Sequence, residues 1–454
     1  MKPIKISEIV SAVGGTLIGK NEDITITDIS TDSRKIKEGC LFVPLVGEKF
    51  DGHDYIAKAF SGGAAASLTA KRDAADGTLI VVDDTLRALQ ALASYYRSLF
   101  SIPVVGLTGS VGKTTTKEMT AAVLAQKYHT LKTEGNFNNE IGLPLTVFRL
   151  EDTHEIAVIE MGMSGFGEID RLSSIVKPEL AMLTNIGMSH IELLGSQENI
   201  YRAKAEILNN MQPDGTVLIN GDDAILLNHK SEIVQKVYTV GKNSACDASA
   251  KNIYSDIHGV RFDFSGLGHK FTVTLNIPGE HNVYNALFAC VAGILYGVED
   301  SAIVRALEEF RPANMRMDEI EHAGFTIIND CYNAAPDSMR AALKVLSAYP
   351  LKKIAVLGDM ACMGTFSESA HLLVGKTVAD EKIDELFTVG EQAKYIAQGA
   401  LQNGMSEEKI HSFRTVEELQ SSLAASVTKG CHILVKASRV MELERVTAFL
   451  QKNF

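Results

Sequence analysis

The chain has 454 residues, 46% of them hydrophobic and 22% charged, with a formal net charge of −12. At ~150 residues per domain, that length and balance predict about three domains of an ordinary globular protein. The acidic balance argues against nucleic-acid partners, and with no run of about 18 apolar residues and no secretory leader, a cytoplasmic chain without membrane insertion is expected.

Residues 1–84 read as a small mixed α/β unit. Lys5 to Val13 has the spacing of a short amphipathic helix, stopped by Gly14-Gly15. Strands are expected at Ile24 to Ile29, Cys40 to Val46 and Thr78 to Val82, and a helix at His53 to Ser61. Two polar clusters, Thr31-Asp32-Ser33-Arg34 and Gly47 to His53, have the composition of turns. Arg34, Lys49 and His53 could also hold a diphosphate. The six cysteines (Cys40, Cys246, Cys290, Cys331, Cys362 and Cys431) are scattered, with no Cys-x-x-Cys pair. That argues against a zinc site or a disulfide framework.

Residues 85–313 are expected to form the nucleotide-binding unit. A helix from Leu86 to Phe100 leads into Ile102 to Leu107, an apolar strand, then Thr108-Gly109-Ser110-Val111-Gly112-Lys113-Thr114-Thr115-Thr116 and a helix reaching Gln126. A strand, a glycine-rich turn and a helix N-terminus make a phosphate cradle. Bare N–H groups and the helix dipole attract anions, Lys113 can reach the terminal phosphates, and the Thr114 hydroxyl can bind Mg²⁺. The usual pattern begins with Gly, where this chain has Leu107, so the loop is a variant with glycines at 106, 109 and 112. The stretch 133–142, Thr-Glu-Gly-Asn-Phe-Asn-Asn-Glu-Ile-Gly, is too polar for a core element and reads as a functional loop.

Ile156 to Met161 is a strand that carries Glu160 at its end, where a Mg²⁺-binding carboxylate sits in such folds. Leu180 to Ile186 is a second buried strand, running into Thr-Asn-Ile-Gly-Met-Ser-His at 184–190. Gln197 to Met211 reads as a helix bearing Lys204, Thr216 to Asn220 as a strand, and 234–276 as β-rich. The helix from about Pro278 to Tyr296 sets Asn282 and Asn285 one turn apart on one face.

Residues 314–454 alternate strand and helix. Strands are expected at Phe325 to Asn329, Lys353 to Leu357, Glu385 to Val389 and His432 to Val435. Helices are expected at Asp337 to Ala348, Glu391 to Asn403, Val416 to Val427 and Met441 to Leu450. Such alternation implies a mostly parallel sheet covered on both faces, with ligands at strand C-termini such as Gly358-Asp359 and Lys436 to Arg439.

Taken together, T-G-S-V-G-K-T-T, E-G-N-F-N-N-E-I-G, E-M-G-M, T-N-I-G-M-S-H, A-K-A-E and E-H-N-V-Y-N-A follow one another in an order that resembles the Mur ligases, the ATP-dependent amide-forming enzymes of peptidoglycan precursor synthesis. T-D-S-R, F-V-P-L-V-G-E-K-F-D-G-H, D-C-Y-N-A-A-P-D-S-M and L-G-D-M look most like the members that add D-alanyl-D-alanine to UDP-N-acetylmuramoyl-tripeptide. Ala361-Cys362-Met363-Gly364 and Lys436-Ala437-Ser438-Arg439 depart from the family's usual Glu-Leu-Gly and Lys-Gly-Ser-Arg.

The resemblance implies an α/β fold of three domains: a mixed α/β UDP-sugar domain, a central P-loop-type ATPase domain with a mostly parallel sheet, and a C-terminal Rossmann-like domain that closes on ATP and binds the incoming dipeptide. It implies ATP and two Mg²⁺ ions as cofactors. Gly109 to Thr115, Asn282, Asn285, Arg316 and Asp330 would contact the nucleotide. Thr114, Glu160, His190 and a carbamylated Lys204 would hold metal, and Lys113, Glu160, His190 and Lys204 would be catalytic. Ser33, Arg34, Lys49 and His53 would face the UDP-sugar, Asn136, Asn138 and Asn139 the muramoyl-peptide, and Asn333 and Ala334 the dipeptide. A monomer is expected. The rival readings are a sister ligase that adds a diamino acid to the dipeptide precursor and, from another class, a nucleotide switch without chemistry.

Overall fold

The computed structural model describes residues 1–19, 23–71, 76–312 and 315–454. The expected boundary at 313/314 therefore lies outside the described residues.

Near the N-terminus, the Ile6–Val13 helix ends at Gly14, whose positive φ of 63° lets its N–H turn back to the Val10 carbonyl. A five-stranded sheet follows, built from Thr16–Ile18, Asp28–Ser30, Cys40–Phe42, Ala64–Thr69 and Leu79–Val81. The Thr85–Ser98 helix, capped by the Asp84 carboxylate on the Leu86 and Arg87 N–H groups, joins this unit to the next. Its Tyr96 is fully buried, accepts from the Lys2 N–H and donates to the Leu150 carbonyl, each at 2.6 Å.

The central sheet has nine strands. Its parallel part runs Lys236–Gly241, Thr216–Asn220, Leu180–Leu183, Val104–Thr108, Ile156–Glu160 and Thr130–Lys132 across the sheet. An antiparallel extension from 248 to 275 completes the β-rich stretch. Val104–Thr108 lies between Leu180–Leu183 and Ile156–Glu160, so the chain leaves it toward one side and returns on the other. That reversal of direction opens a crevice at the strand C-termini. All five of its residues are buried, which matches a continuous apolar run sandwiched between helices. Lys113–Leu124 and Asn282–Leu295 are the helices that cover this face.

The last unit is a six-stranded sheet, parallel except for its edge strand Asp318–His322. Its helices are Pro336–Ser347, Ser367–Asp380, Lys394–Gln402, Val416–Ser426 and Glu444–Asn453. Apolar clusters fill both faces of the sheet. The 192 N–H donates to the Cys362 carbonyl at 3.4 Å, so the loop after Gly358 touches the central unit just past His190.

Among the described residues, no helix is long and apolar enough to cross a membrane.

Candidate active site

The Val104–Thr108 strand delivers the chain to Gly109, where backbone comes so close that a Cβ would stand 1.9 Å from the Thr184 hydroxyl. Gly112 adopts φ +79° and starts the Lys113–Leu124 helix, with Asn285 Oδ1 only 2.7 Å from where its Cβ would be. Glycine is required at both positions, for space at the first and for backbone conformation and space at the second.

The neighbouring strand end holds the loop in shape. Asn185 Oδ1 accepts from the Ser110 and Val111 N–H groups at 3.1 and 2.9 Å. Asn185 Nδ2 and the Thr184 hydroxyl both donate to the Val111 carbonyl, at 3.0 and 2.9 Å. Ser110 Oγ accepts from the Gly187 N–H at 2.8 Å, and the Ser189 hydroxyl donates to the Ser110 carbonyl at 3.3 Å. The amides of Lys113, Thr114 and Thr115 then open the helix without intrahelical acceptors, which is the arrangement that takes an anion.

Two lysines converge on one oxygen. The Gly109 carbonyl accepts from Lys113 Nζ at 2.8 Å and from Lys204 Nζ at 3.0 Å. Lys204 comes from the Gln197–Ala205 helix and is 1% exposed. Burial pushes its ammonium well below the ordinary lysine value, and Lys113 pushes it the same way. Burial also lowers Lys113, against a pull from Glu160, and Arg316 lowers it further. His190, in left-handed backbone at φ 65°, is pushed down to about 4 by burial first and then by Lys113 and Lys204. Its imidazole is neutral at pH 7, and its buried Nδ1 has no partner among the described residues.

Glu160 is 1% exposed at the end of its strand. Its carboxylate accepts from the Thr114 hydroxyl at 3.0 Å and from Asn138 Nδ2 at 2.7 Å. Asn138 thereby anchors the 133–142 loop to the nucleotide strand end. Asn139 Oδ1 accepts from the Ile141 and Gly142 N–H groups at the entry to the next helix. A cavity of about 560 Å³ takes in Ser110 to Thr115, Glu160, His190, Asn282, Asn285, Arg316, Asp330, Asn333 and Ala334. A second, of about 840 Å³, opens toward the first unit at Thr31, Asp32 and Lys35. Asn136 and Asn139 line both.

Asn282 and Asn285 share a face, as the helical spacing predicts, with Asn285 Nδ2 donating to Asn282 Oδ1 at 3.0 Å. Asn285 Oδ1 also accepts from the Thr116 hydroxyl, which ties this helix to the phosphate-loop helix. From the last unit, Arg316 lies 4.0 Å over the Tyr332 ring, a cation–π contact. Asp330 forms a buried pair with Lys436 at 2.6 Å, and Lys436 also donates to the Asn333 carbonyl at 2.8 Å.

Six sequence-predicted residues do not line the central cavity: Gly109 and Lys204, which meet behind the loop at the Gly109 carbonyl, and Ser33, Arg34, Lys49 and His53 of the first unit. Ser33 and Arg34 follow the Asp32 wall of the second cavity, with Arg34 clamped on Asp32 through two 2.9 Å bonds. Lys49 is exposed. His53 is turned inward, its Nδ1 2.6 Å from Asp51 and its Nε2 accepting from the Ala70 N–H at 3.0 Å. Both its nitrogens are held within the first unit, one by Asp51 and one by the Ala70 N–H.

Sequence reasoning assigned no role to Thr184, Asn185 or Ser189, although they lie in the same seven-residue motif as His190. Nor did it assign Tyr332, and it placed Lys436 only among the residues of a strand C-terminus where ligands bind. For Asn185 and Lys436 the signal was their position at the C-terminal ends of buried strands.

The Mur ligase middle domain model matches residues 107–293, the Mur ligase glutamate ligase domain model 315–439, and the Mur ligase family catalytic domain model 25–97. A Bacillus subtilis protein named UDP-N-acetylmuramoyl-tripeptide--D-alanyl-D-alanine ligase is 40% identical over 97% of each chain. A crystal structure of MurF from Acinetobacter baumannii superposes with a TM-score of 0.92 at 32% identity, covering 100% of both chains. A MurF ligase from Thermotoga maritima in complex with ADP gives a TM-score of 0.84 at 29% identity, covering 94% of this chain and 97% of that one.

Proposed function

The chain belongs to the Mur ligase family, and we propose that it joins D-alanyl-D-alanine to UDP-N-acetylmuramoyl-tripeptide with ATP. The single observation that carries this reading is the convergence of Lys113, Lys204, His190 and the Thr114–Glu160 pair around one phosphate loop, within a chain related over its whole length to ligases of that name.

A free carboxylate is a poor acylating agent at neutral pH. Its oxygen attacks the γ-phosphorus of ATP, ADP leaves, and an acyl phosphate results. The dipeptide amine then adds to the acyl carbon, loses a proton, and the tetrahedral intermediate expels phosphate as the amide forms. Charge spreads over the transferring phosphoryl oxygens, so catalysis is largely positioning and neutralisation. The first-turn amides and Lys113 cradle the phosphates. Asn282 and Asn285 sit nearer the nucleoside, with Arg316 and Asp330 closing from the last unit. The Asn136–Asn139 loop, shared by both cavities, carries the muramoyl-peptide between the first unit and the acyl-transfer point. Ser33, Arg34 and Lys49 serve the UDP end, while Asn333 and Ala334 serve the dipeptide.

The donor set fits Mg²⁺. Among the described residues there is no cluster of three or more His, Cys, Asp or Glu side chains that would make an all-protein metal cage. A hydroxyl and a carboxylate beside a phosphate cradle suit an ion that prefers few protein oxygens plus substrate phosphates. Thr114 and Glu160 would hold one ion, and His190, through a ring whose Nδ1 lacks a partner, would help hold a second with carbamylated Lys204. The bound ions would supply neutralisation of phosphoryl charge. Carbamylation needs a neutral amine, and the depressed Lys204 provides one.

The test is ATP-dependent phosphate release with UDP-N-acetylmuramoyl-tripeptide, with and without D-alanyl-D-alanine. Release that needs both, with a pentapeptide product by mass, supports the reading. Release only with the dipeptide precursor and a diamino acid would overturn it.

A further inference from the structure

Lys117 is a buried cation that the chemistry above does not use. It stands one turn beyond Lys113 and Thr114 on the same helix and is 0% exposed. Its ammonium donates to the Thr133 carbonyl at 2.7 Å and pairs with Glu118 at 2.9 Å. The second Glu118 oxygen holds Lys132, the last residue of the strand before Thr133. An ammonium taken fully out of water is tolerated only when its donors are paired, and here one partner, Thr133, opens the 133–142 loop while the other, Glu118 on the same helix, holds the residue just before it.

Thr133 passes that grip onward. Its hydroxyl accepts from the Glu160 N–H at 3.0 Å, and its own N–H donates to the Val158 carbonyl at 3.1 Å. The Glu160 carboxylate then accepts from Thr114 and from Asn138, the second of which belongs to the same 133–142 loop. The contacts form a closed ring from Lys117 to Thr133, to Glu160, to Thr114, and back through one helical turn. Lysine suits the corner because one nitrogen with three donors can meet a carbonyl and a carboxylate at once.

We infer that Lys117 is a positioning residue: by fixing Thr133 it sets the Glu160 carboxylate against the Thr114 hydroxyl, and so prepares the pair that takes the nucleotide's divalent cation. The inference rests on the metal reading given under the proposed function. The competing possibility is an ion pair that only staples the helix to the sheet. Such a staple would affect folding but not the metal-dependent part of nucleotide binding.

The experiment measures binding of β,γ-methylene-ATP to the full chain by calorimetry, once with Mg²⁺ and once with EDTA. The readout is the affinity gained on adding metal. Lys117→Met and Thr133→Val should keep the metal-free affinity and lose about 10-fold of the gain, the size typical of removing a partner that orients a metal ligand. Thr133→Ser keeps the hydroxyl and should keep the gain. If Lys117→Met does not fold, Thr133→Val against Thr133→Ser decides alone. Glu160→Ala separates the two claims. If it loses the gain while Lys117→Met and Thr133→Val retain theirs, the positioning role is overturned and the metal reading stands. If Glu160→Ala itself retains the gain, the metal reading fails and takes the Lys117 role with it.

Discussion

Replacing Lys204 with alanine should lower turnover by at least about 100-fold, the cost of losing one preorganised electrostatic group at a phosphoryl-transfer site. The Gly109 carbonyl accepts from the Lys113 and Lys204 side-chain nitrogens at 2.8 and 3.0 Å. Two cations on one oxygen repel, and burial adds to the pressure on Lys204 to give up its proton. An ordinary lysine at pH 8 is only about 0.4% neutral, and each unit of lowering raises that fraction roughly tenfold. The neutral amine is the form that adds CO₂. Carbamylation changes this position from +1 to −1 and turns a repeller of divalent cations into a ligand for them. Arginine at 204 keeps the positive charge but cannot form the carbamate, so Lys204→Arg should be as inactive as Lys204→Ala. Two measurements check this. With ¹³C-bicarbonate, the wild type should show a carbamate carbon signal by NMR that is missing in Lys204→Ala, and short carboxylic acids should restore part of the alanine variant's turnover. A Lys204→Ala enzyme with wild-type rate, or a wild type without the carbamate signal, would refute the reasoning.

Gly109→Ala forces a methyl to within 1.9 Å of the Thr184 hydroxyl, so it should cost about 1–3 kcal/mol and raise the KM for ATP. Adding Thr184→Ala should recover part of both, and a Gly109→Ala variant with unchanged KM and melting midpoint would show that the loop yields freely. Asn185→Ala leaves the Ser110 and Val111 amides without their side-chain acceptor, so ATP KM should rise roughly tenfold with kcat less affected, on a loss of about 1–2 kcal/mol; steady-state kinetics decide it, and a fall in kcat alone would argue against a loop-shaping role. His281 is held down to about 4, from 6.5, mainly by burial, with Asp330 opposing and Lys436 and Lys242 adding to the drop. Between those two values the unfolded chain binds a proton that the folded one does not, so stability falls as pH drops from 6.5 toward 4, by up to roughly 3 kcal/mol for this group. His281→Gln should flatten that slope in denaturant midpoints followed by circular dichroism, a suitable probe because the chain has no tryptophan; parallel slopes would assign the acid loss to other groups.

Local signals were legible where a segment carries its own punctuation. Thr216–Asn220, Phe325–Asn329 and Glu385–Val389 fall where their apolar runs and flanking polar residues place them. The phosphate loop is equally local, since Thr108 to Thr114 contain strand end, turn and helix start. Ala64–Thr69 was missed because three alanines carry little strand preference, and it forms only through its neighbours Cys40–Phe42 and Leu79–Val81. Ser367–Asp380, a helix of 14 residues, was missed where the Ala361-Cys362-Met363-Gly364 departure interrupts the expected pattern. Partnerships were the hardest part. Asn185 reaches Ser110 across 75 positions, and Lys436 reaches Asp330 across 106. Nothing in either local sequence states the partner. His53 shows the converse, a residue in a recognisable motif whose ring is spent on Asp51 and Ala70 of its own unit.

The phosphate loop, the Glu160 carboxylate and the lysine of the Gln197–Ala205 helix bring an unbalanced set of charges to one place. Burial and then Lys113 depress Lys204, and burial depresses Lys113, with Arg316 arriving from the last unit to add to the pressure on it. Only Glu160 offsets Lys113 directly, and its oxygens are already held by Thr114 and Asn138. The protein alone is therefore short of negative charge at the mouth of the loop. A triphosphate would supply it on one side, and the proposed carbamylation of Lys204 would supply it on the other. The two changes reinforce each other for the divalent cations between them, because each removes part of the repulsion that the other site would feel. ATP and CO₂ should accordingly bind with positive coupling, so that bicarbonate tightens nucleotide binding in the wild type but not in Lys204→Arg. Because linkage is reciprocal, ATP must then raise the carbamate signal by the same factor. Calorimetric titration of nucleotide at two bicarbonate levels measures one arm and ¹³C NMR the other. Equal affinities at both levels would mean that the two lysines do not communicate through the Gly109 oxygen.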